Sequence, residues 1–180
     1  MGASLSWYAF RGKSSEAILN DFGLEKVTET CCNSPYRGGM LPSGWFLVCH
    51  GRHEFTDDEL QRFSQGCEVI ACFVEEHVMV SKASGWKQGQ EIWSVLHDAQ
   101  EDHLHLDFQG GLPETFAAIH QRLVKQQEAE SDCDCVFDIP VEVAASIVGY
   151  NHETGPKDAG PTFTMDNFVK RPWWKRLFAR

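Results

Sequence analysis

The sequence has no run of about 20 consecutive apolar residues, which is the length that a membrane-spanning helix requires. Residues 1–10 also lack a basic segment followed by a long apolar run, the pattern of a secretory signal. These absences predict a cytoplasmic protein. The seven cysteines are odd in number and irregularly spaced, so we expect reduced thiols and not a disulfide framework.

Several catalytic motifs are also missing. The chain contains neither a Gly-x-Ser-x-Gly elbow nor a His-Glu-x-x-His helix. Gly85 and Gly89 lie between two predicted strands and do not lead into a helix N-terminus, where a phosphate would bind. The sequence therefore argues against the commonest nucleotide-dependent and hydrolytic chemistries, and no cofactor is expected.

The chain has few positive charges, and they are unevenly distributed. Residues 1–164 contain 25 acidic and 11 basic residues, a balance of −14, whereas residues 165–180 have a balance of +4. An acidic body repels nucleic acid phosphates and favours a basic protein partner. The alternative is that the acidity only keeps the protein in solution.

The pattern of apolar residues predicts an α+β fold. At 180 residues, with 42% hydrophobic residues, the chain can bury one sizeable core without a metal or a disulfide. We expect a two-layer sandwich in which a mainly antiparallel sheet packs with helices on one face. Residues 1–153 would form this domain, and residues 154–180 would form a loop and a basic, aromatic C-terminal tail.

Local signals place the individual elements. Ser14 and Gly23 are suited to begin and end a first helix, and Thr56 with Glu59 has the spacing of a capping box. Further along, the expected elements are strands within residues 67–83, 90–97 and 103–109, a long helix after residue 113, a strand at 135–139 and a helix through residue 148.

Metal binding is one candidate chemistry. His103 and His105 alternate with leucines, so both imidazoles and Asp107 are expected on the outer face of one strand. Cys133 and Cys135 could add two thiolates, but their spacing is shorter than that of common zinc knuckles and a second matching pair is missing. The alternative is that the two histidines are solvated strand residues, and no metal ligand is assigned.

A cysteine nucleophile is a second candidate. Cys49, His50 and His53 lie at the end of a predicted strand, where a histidine could activate a thiol. Neighbouring strand residues point to opposite faces, however, so Cys49 and His50 should diverge. A buried cysteine more often acts as a small apolar residue.

Five carboxylates form a third candidate site: Glu75, Glu76, Asp98, Glu101 and Asp102. Acid–base catalysis requires two carboxylates in different environments, whereas residues 98–102 belong to one predicted turn in which all are solvated alike. As a docking surface for a basic partner, the same side chains need no shift in pKa. We therefore assign them to partner binding and assign no catalytic residue.

The C-terminal tail interleaves cations with aromatic residues. If it is helical after Pro172, then Trp173 and Trp174 share a face with Leu177 and Phe178. That arrangement suits a membrane surface or a groove on another protein, so Trp173 and Trp174 join the partner-binding candidates. The alternative is that these aromatic residues pack back onto the acidic body.

Three stretches together resemble a known type of protein: residues 6–14 (SWYAFRGKS), 75–86 (EEHVMVSKASGW) and 137–152 (FDIPVEVAASIVGYNH). They are similar to a group of small bacterial proteins of the interbacterial-toxin immunity type, over about residues 4–153. The resemblance implies a protein that binds and neutralises a toxin. It carries over no catalytic residues, and the basic tail lies outside it.

These observations predict a non-enzymatic, cytoplasmic immunity protein that occludes the active site of a toxin with a basic surface. Nucleic acid binding is not expected. Two alternatives remain open from the sequence: a thiol- or metal-dependent hydrolase, and a peripheral membrane adaptor held by the tail.

Overall fold

A computed structural model describes residues 2–27, 34–51, 56–130, 133–158 and 164–172. Four helices lie within these residues: α1 (Ser15–Phe22), α2 (Asp57–Phe63), α3 (Phe116–Ala129) and α4 (Asp138–Val148). The strands are β1 (Ser4–Arg11), β2 (Leu24–Val27), β3 (Tyr36–Met40), β4 (Phe46–Gly51), β5 (Glu68–Glu75), β6 (Val80–Lys87), β7 (Gln90–Asp98), β8 (Asp107–Gly110), β9 (Tyr150–Asn151), β10 (Gly155–Pro156) and β11 (Asp166–Lys170).

Nine of the strands form one sheet in the order β2-β11-β3-β4-β1-β5-β6-β7-β8, and β9 and β10 form a separate small hairpin. Every described pairing is antiparallel. The expected meander of three strands has four, β5, β6, β7 and β8, because a turn at residues 76–79 divides the expected run at 67–83. The α+β class and the antiparallel sheet are therefore confirmed.

The helices pack on both faces of the sheet, where the sequence analysis expected one. In β1, Trp7 and Ala9 face the core that contains α3 and α4, whereas Tyr8 and Phe10 face the core that contains α1 and α2. All four side chains are buried. A strand that is apolar at every position must be covered on both sides, and this run in β1 is the physical reason for the second helical layer.

The helix-terminal signals act as the sequence predicts. The Ser14 hydroxyl accepts a hydrogen bond from the Ala17 amide, and Gly23 ends α1 in the left-handed conformation at φ 63°. At α2, Thr56 and Glu59 form a reciprocal capping box. These caps satisfy amides that would otherwise lack partners within the helix.

Two predicted strand assignments are wrong. Residues 135–137 form a turn, and α4 begins at Asp138, because the buried Ser81 hydroxyl on β6 donates to the Phe137 carbonyl at 2.6 Å and holds it out of a strand ladder. Residues 103–106 form a turn as well, and β8 begins only at Asp107.

The predicted domain boundary at residue 153 does not coincide with the edge of the sheet. Strand β11 inserts between β2 and β3, and its Phe168 side chain is buried in the core that contains α1 and α2. Trp173 and Trp174 lie outside the described residues. Within the described part of the chain, no helix is both long and apolar enough to cross a membrane.

Candidate functional site

The register of the sheet brings the five predicted carboxylates to one end. Glu75 at the end of β5 is opposite Val80 of β6, and Val80 is opposite Asp98 at the end of β7. Adjacent strands are about 4.8 Å apart, so the backbones at Glu75 and Asp98 are about 10 Å apart. The other three carboxylates lie in the turns that follow these strands. Glu76 is in the turn after β5, and Glu101 and Asp102 are in the turn after β7.

These two turns are joined by hydrogen bonds. The Ala99 amide donates to the Met79 carbonyl at 3.0 Å, and the Gln100 side-chain amide donates to the Val78 carbonyl at 3.0 Å. The Glu76 amide also donates to the Ala3 carbonyl at 2.9 Å. The end of the sheet is therefore a connected surface and not a set of independent loops.

The carboxylates differ in their local roles. Glu75 accepts hydrogen bonds from the Ser4 hydroxyl and from His77, and these bonds, Ser4 first, hold its pKa below the usual value. Asp98 accepts from the Gln100 amide at 2.9 Å, and Asp102 accepts from the Leu104 amide at 2.8 Å. Aspartate side chains of this kind stabilise turns, which explains why these residues occur where the chain reverses.

His105 organises the segment between the turn and β8. Its Nδ1 accepts a hydrogen bond from the Asp98 amide at 3.1 Å, so the neutral ring carries its proton on Nε2. That nitrogen lies 3.3 Å from Asp107 and 3.5 Å from Glu101. The ring points back to the end of β7, so the predicted placement of His103 and His105 on the outer face of a strand is wrong.

A cleft of about 400 Å³ lies beside this segment. It is formed by the turn residues His103, Leu104 and Leu106, by α3 and by Val136. The ring of His120, on α3, stacks on Phe116 with centroids 5.5 Å apart, and Phe108 of β8 lies 5.0 Å from Phe116. Apolar and aromatic groups therefore continue from the cleft to the outermost strand of the sheet.

The sequence analysis missed this apolar component. Leu104 and Phe108 are 52% and 51% exposed, and they lie in the same short segment as Glu101, Asp102 and Asp107. The alternation of His and Leu at residues 103–106 predicted a strand with leucines turned inward. We call the surface formed by Asp98, Glu101, Asp102, Leu104, Asp107 and Phe108 the acidic edge.

The structure gives no support to a thiol nucleophile at Cys49. Burial raises the pKa of this thiol to about 11, and the thiol donates a hydrogen bond to the Tyr150 hydroxyl at 3.5 Å. His50 points to the other face of the sheet, where its ring lies 4.2 Å from that of Tyr36, as the strand alternation predicts. His53 lies outside the described residues.

Cys133 and Cys135 lie in the turn before α4, with sulfur atoms 2.7 Å apart. Gln127 fixes this turn by donating to the Cys133 carbonyl and accepting from the Cys135 amide. The Cys135 thiol, with a smaller effect of Glu130, raises the pKa of Cys133 to about 12. A thiol with this pKa is protonated near neutral pH and is therefore a poor nucleophile.

Two groups of possible metal ligands occur within the described residues. One contains Glu130, Cys133 and Cys135, and the other contains Glu76, His152 and Glu153. Neither includes His103 or His105, so the predicted combination of these histidines with the two cysteines is not assembled.

Comparison of this chain with models of protein families, with curated proteins and with solved structures finds no match.

Proposed function

We propose that this protein binds and neutralises a bacterial toxin, and that the acidic edge occupies a basic active-site surface of that toxin. The proposal combines the expected immunity type with the geometry of the acidic edge. It requires no catalytic group on this chain.

The observation that carries the proposal is the combination of exposed apolar and exposed acidic side chains in one segment. Leu104 and Phe108 are half exposed, while the side chains of Glu101, Asp102 and Asp107 are 65–78% exposed. Within the described part of the chain, the ion pairs of these three carboxylates are with histidines and not with lysine or arginine. Their charge is therefore available to a partner.

Each component has a physical role in binding. Exposed carboxylates attract a basic surface over a distance of about one Debye length and so raise the association rate. Aromatic and aliphatic side chains that become buried at the centre of an interface slow dissociation. Strand β8 adds a third element, since it is the last strand of the sheet and its outer edge is not paired by another described strand. An extended segment of a partner could add to that edge.

The test is capture of a partner by tagged protein at two salt concentrations, followed by a toxicity assay. The variant Glu101→Lys with Asp107→Lys reverses the charge of the acidic edge. Its matched control, Asp57→Lys with Asp58→Lys, makes the same change in net charge on the exposed start of α2. We expect wild type and control to capture one stoichiometric partner that is toxic when expressed alone and harmless when co-expressed.

The acidic-edge variant should lose this capture and this protection, with circular dichroism showing an intact fold. Equal capture and protection by both variants would exclude the acidic edge as the binding surface. Absence of a stoichiometric partner for wild type at either salt concentration would overturn the binding function.

A further inference from the structure

We propose that Glu76, His152 and Glu153 form a binding site for a divalent first-row transition-metal ion such as Zn²⁺. The site lies at the same end of the sheet as the acidic edge but uses a different part of the chain. The inference does not rest on the proposed toxin partner.

The three residues come from two elements that are distant in sequence. Glu76 follows β5, whereas His152 and Glu153 follow β9, immediately after the end of α4. Each offers one ligand atom, and these atoms all lie within 4.8 Å of one another. One imidazole nitrogen with two carboxylate oxygens is a donor set that zinc and related ions accept.

His152 is the observation that points to a ligand. Its side chain is only 7% exposed, and within the described residues neither ring nitrogen has a hydrogen-bond partner. Leaving a buried polar group without a partner is energetically unfavourable. Coordination of one nitrogen to a metal ion would remove part of this cost.

The distance between the ligands fits a shared ion better than a direct contact. Nε2 of His152 lies 4.0 Å from Oε1 of Glu76, which is too long for a hydrogen bond. Zinc–nitrogen and zinc–oxygen bonds are about 2.0–2.2 Å, so two ligand atoms of a tetrahedral zinc ion are about 3.4 Å apart. A small closure of the site would bring both atoms to these bond lengths.

The surrounding groups orient the ligand side chains and influence their protonation. Oε2 of Glu76 accepts a hydrogen bond from the Ala3 amide at 2.6 Å, which fixes this carboxylate while Oε1 faces His152. The Glu153 amide donates to the Asn151 side chain at 2.8 Å, which shapes the turn after β9. Burial lowers the pKa of His152, although Glu153 and Glu76 oppose this effect, and a neutral imidazole is the form that binds a metal.

The site is open on one side. Glu153 is exposed, and the described residues supply three ligand atoms, so water would complete the coordination of a bound ion. Bound metal would join the turn after β5 to the end of α4. It would thereby rigidify the end of the sheet that carries Glu75.

The test must separate this site from the two thiols near Glu130. We would titrate chelator-treated full-length protein with Zn²⁺ by calorimetry, and with Co²⁺ by absorption spectroscopy. Both titrations would use the Cys133→Ser/Cys135→Ser variant, which lacks the two sulfur ligands of the group that also contains Glu130. We expect this variant to bind one equivalent of Zn²⁺, and its Co²⁺ spectrum to show no thiolate charge-transfer band.

Replacement of a ligand should then weaken Zn²⁺ binding at least ~10-fold, since even outer-shell partners of a metal contribute 10- to 100-fold to affinity. His152→Gln tests the buried ligand, and Glu153→Gln tests an exposed one whose replacement leaves the core intact. Glu114→Gln is the control, because Glu114 is exposed and belongs to neither ligand group. Saturating Zn²⁺ should also raise the melting temperature of the Cys133→Ser/Cys135→Ser variant and not that of its Glu153→Gln derivative.

Two results would overturn the inference. One is the absence of stoichiometric Zn²⁺ binding to the Cys133→Ser/Cys135→Ser variant. The other is unchanged affinity in both His152→Gln and Glu153→Gln. Neither result bears on toxin binding, which is read out by the lysine substitutions at Glu101 and Asp107.

Discussion

Nε2 of the fully buried His97 lies 3.1 Å from Oδ2 of Asp134, which is within hydrogen-bond distance. Nδ1 of the same ring lies 2.7 Å from the carbonyl oxygen of His105, which can only accept, so Nδ1 carries a hydrogen. The contact with Asp134 then requires a second proton, placed either on the ring or on the carboxyl group. This pair ties β7 and the segment before β8 to the turn that precedes α4.

Removal of this carboxylate should destabilise the fold. Asp134→Ala leaves Nε2 of His97 without its hydrogen-bond partner, and it leaves the Phe137 amide, which donates to Oδ1 at 3.1 Å, without an acceptor. We expect a loss of about 1–3 kcal/mol in the free energy of unfolding, measured with urea at pH 7. Asp134→Asn should lose less, because its amide can donate to a neutral His97 and accept from Phe137.

Glu128→Ala is the control for a surface carboxylate, and it should change the free energy of unfolding by no more than about 0.5 kcal/mol. Equal stability of Asp134→Ala and wild type would show that the hydrogen bonds of Asp134 do not stabilise the fold. An asparagine variant as unstable as the alanine variant would contradict the hydrogen bonds expected of its amide.

The local signals in the sequence were sufficient for several elements. Thr56 and Glu59 defined the start of α2, and Gly23 defined the end of α1, because caps depend on residues a few positions apart. Short turns likewise predicted an antiparallel meander, but one of three strands in which Glu75 and Glu76 lay inside a long run at residues 67–83. The turn that ends β5 after Glu75 was not predicted, so the common location of Glu75 and Asp98 follows from the structure and not from the sequence analysis of these carboxylates. Their role in partner binding stays a prediction.

The remaining features depend on contacts between distant parts of the chain. Strand β11 pairs with β2, from which it is separated by about 140 residues, and its five residues give no strong strand signal of their own. The apolar residues 135–137 had the composition of a strand, but Ser81 and the core beneath α4 hold them in a turn. No sequence pattern marked His152 as a possible metal ligand, because Glu76 approaches it only in the folded protein.

Gly85 on β6 should not tolerate a side chain. It is opposite Trp93 of β7, and a Cβ atom at position 85 would lie 2.1 Å from Nε1 of the buried indole. We expect Gly85→Ala to destabilise the protein by about 1–3 kcal/mol, the usual cost of overpacking a core. The measurement is urea unfolding of the full chain.

Gly51→Ala is the matched strand control, because a Cβ atom there would meet no atom within 4 Å. A double-mutant cycle assigns the cause. In the background of Trp93→Leu, which removes the indole, Gly85→Ala should cost less than it does in the wild-type background. If the two substitutions were additive, the clash with the indole would not be the source of the destabilisation.

Glu68 gives a prediction for the pH dependence of stability. Its carboxylate contacts Lys87 at 2.7 Å and Arg11 at 2.5 Å, and these two cations, Lys87 first, lower its pKa in the folded state. A carboxyl group whose pKa is lowered by folding stabilises the protein above its unfolded pKa, and this stabilisation is lost as the pH falls through the folded pKa. Glu68→Gln should therefore be less stable than wild type at pH 7, and the difference should decrease as the pH falls through the folded pKa of Glu68.

The size of this difference should be small. All three side chains are partly exposed to solvent, and ion pairs of this kind contribute about 0.2–1 kcal/mol. Urea unfolding of wild type and Glu68→Gln at a series of pH values would measure it, and the difference should shrink further in 1 M salt, where surface charges are screened. Glu16→Gln, an exposed carboxylate on α1, controls for a general effect of net charge. A stability difference that persisted undiminished at pH 3 would show that the Glu68 side chain stabilises the sheet by packing and not by its charge.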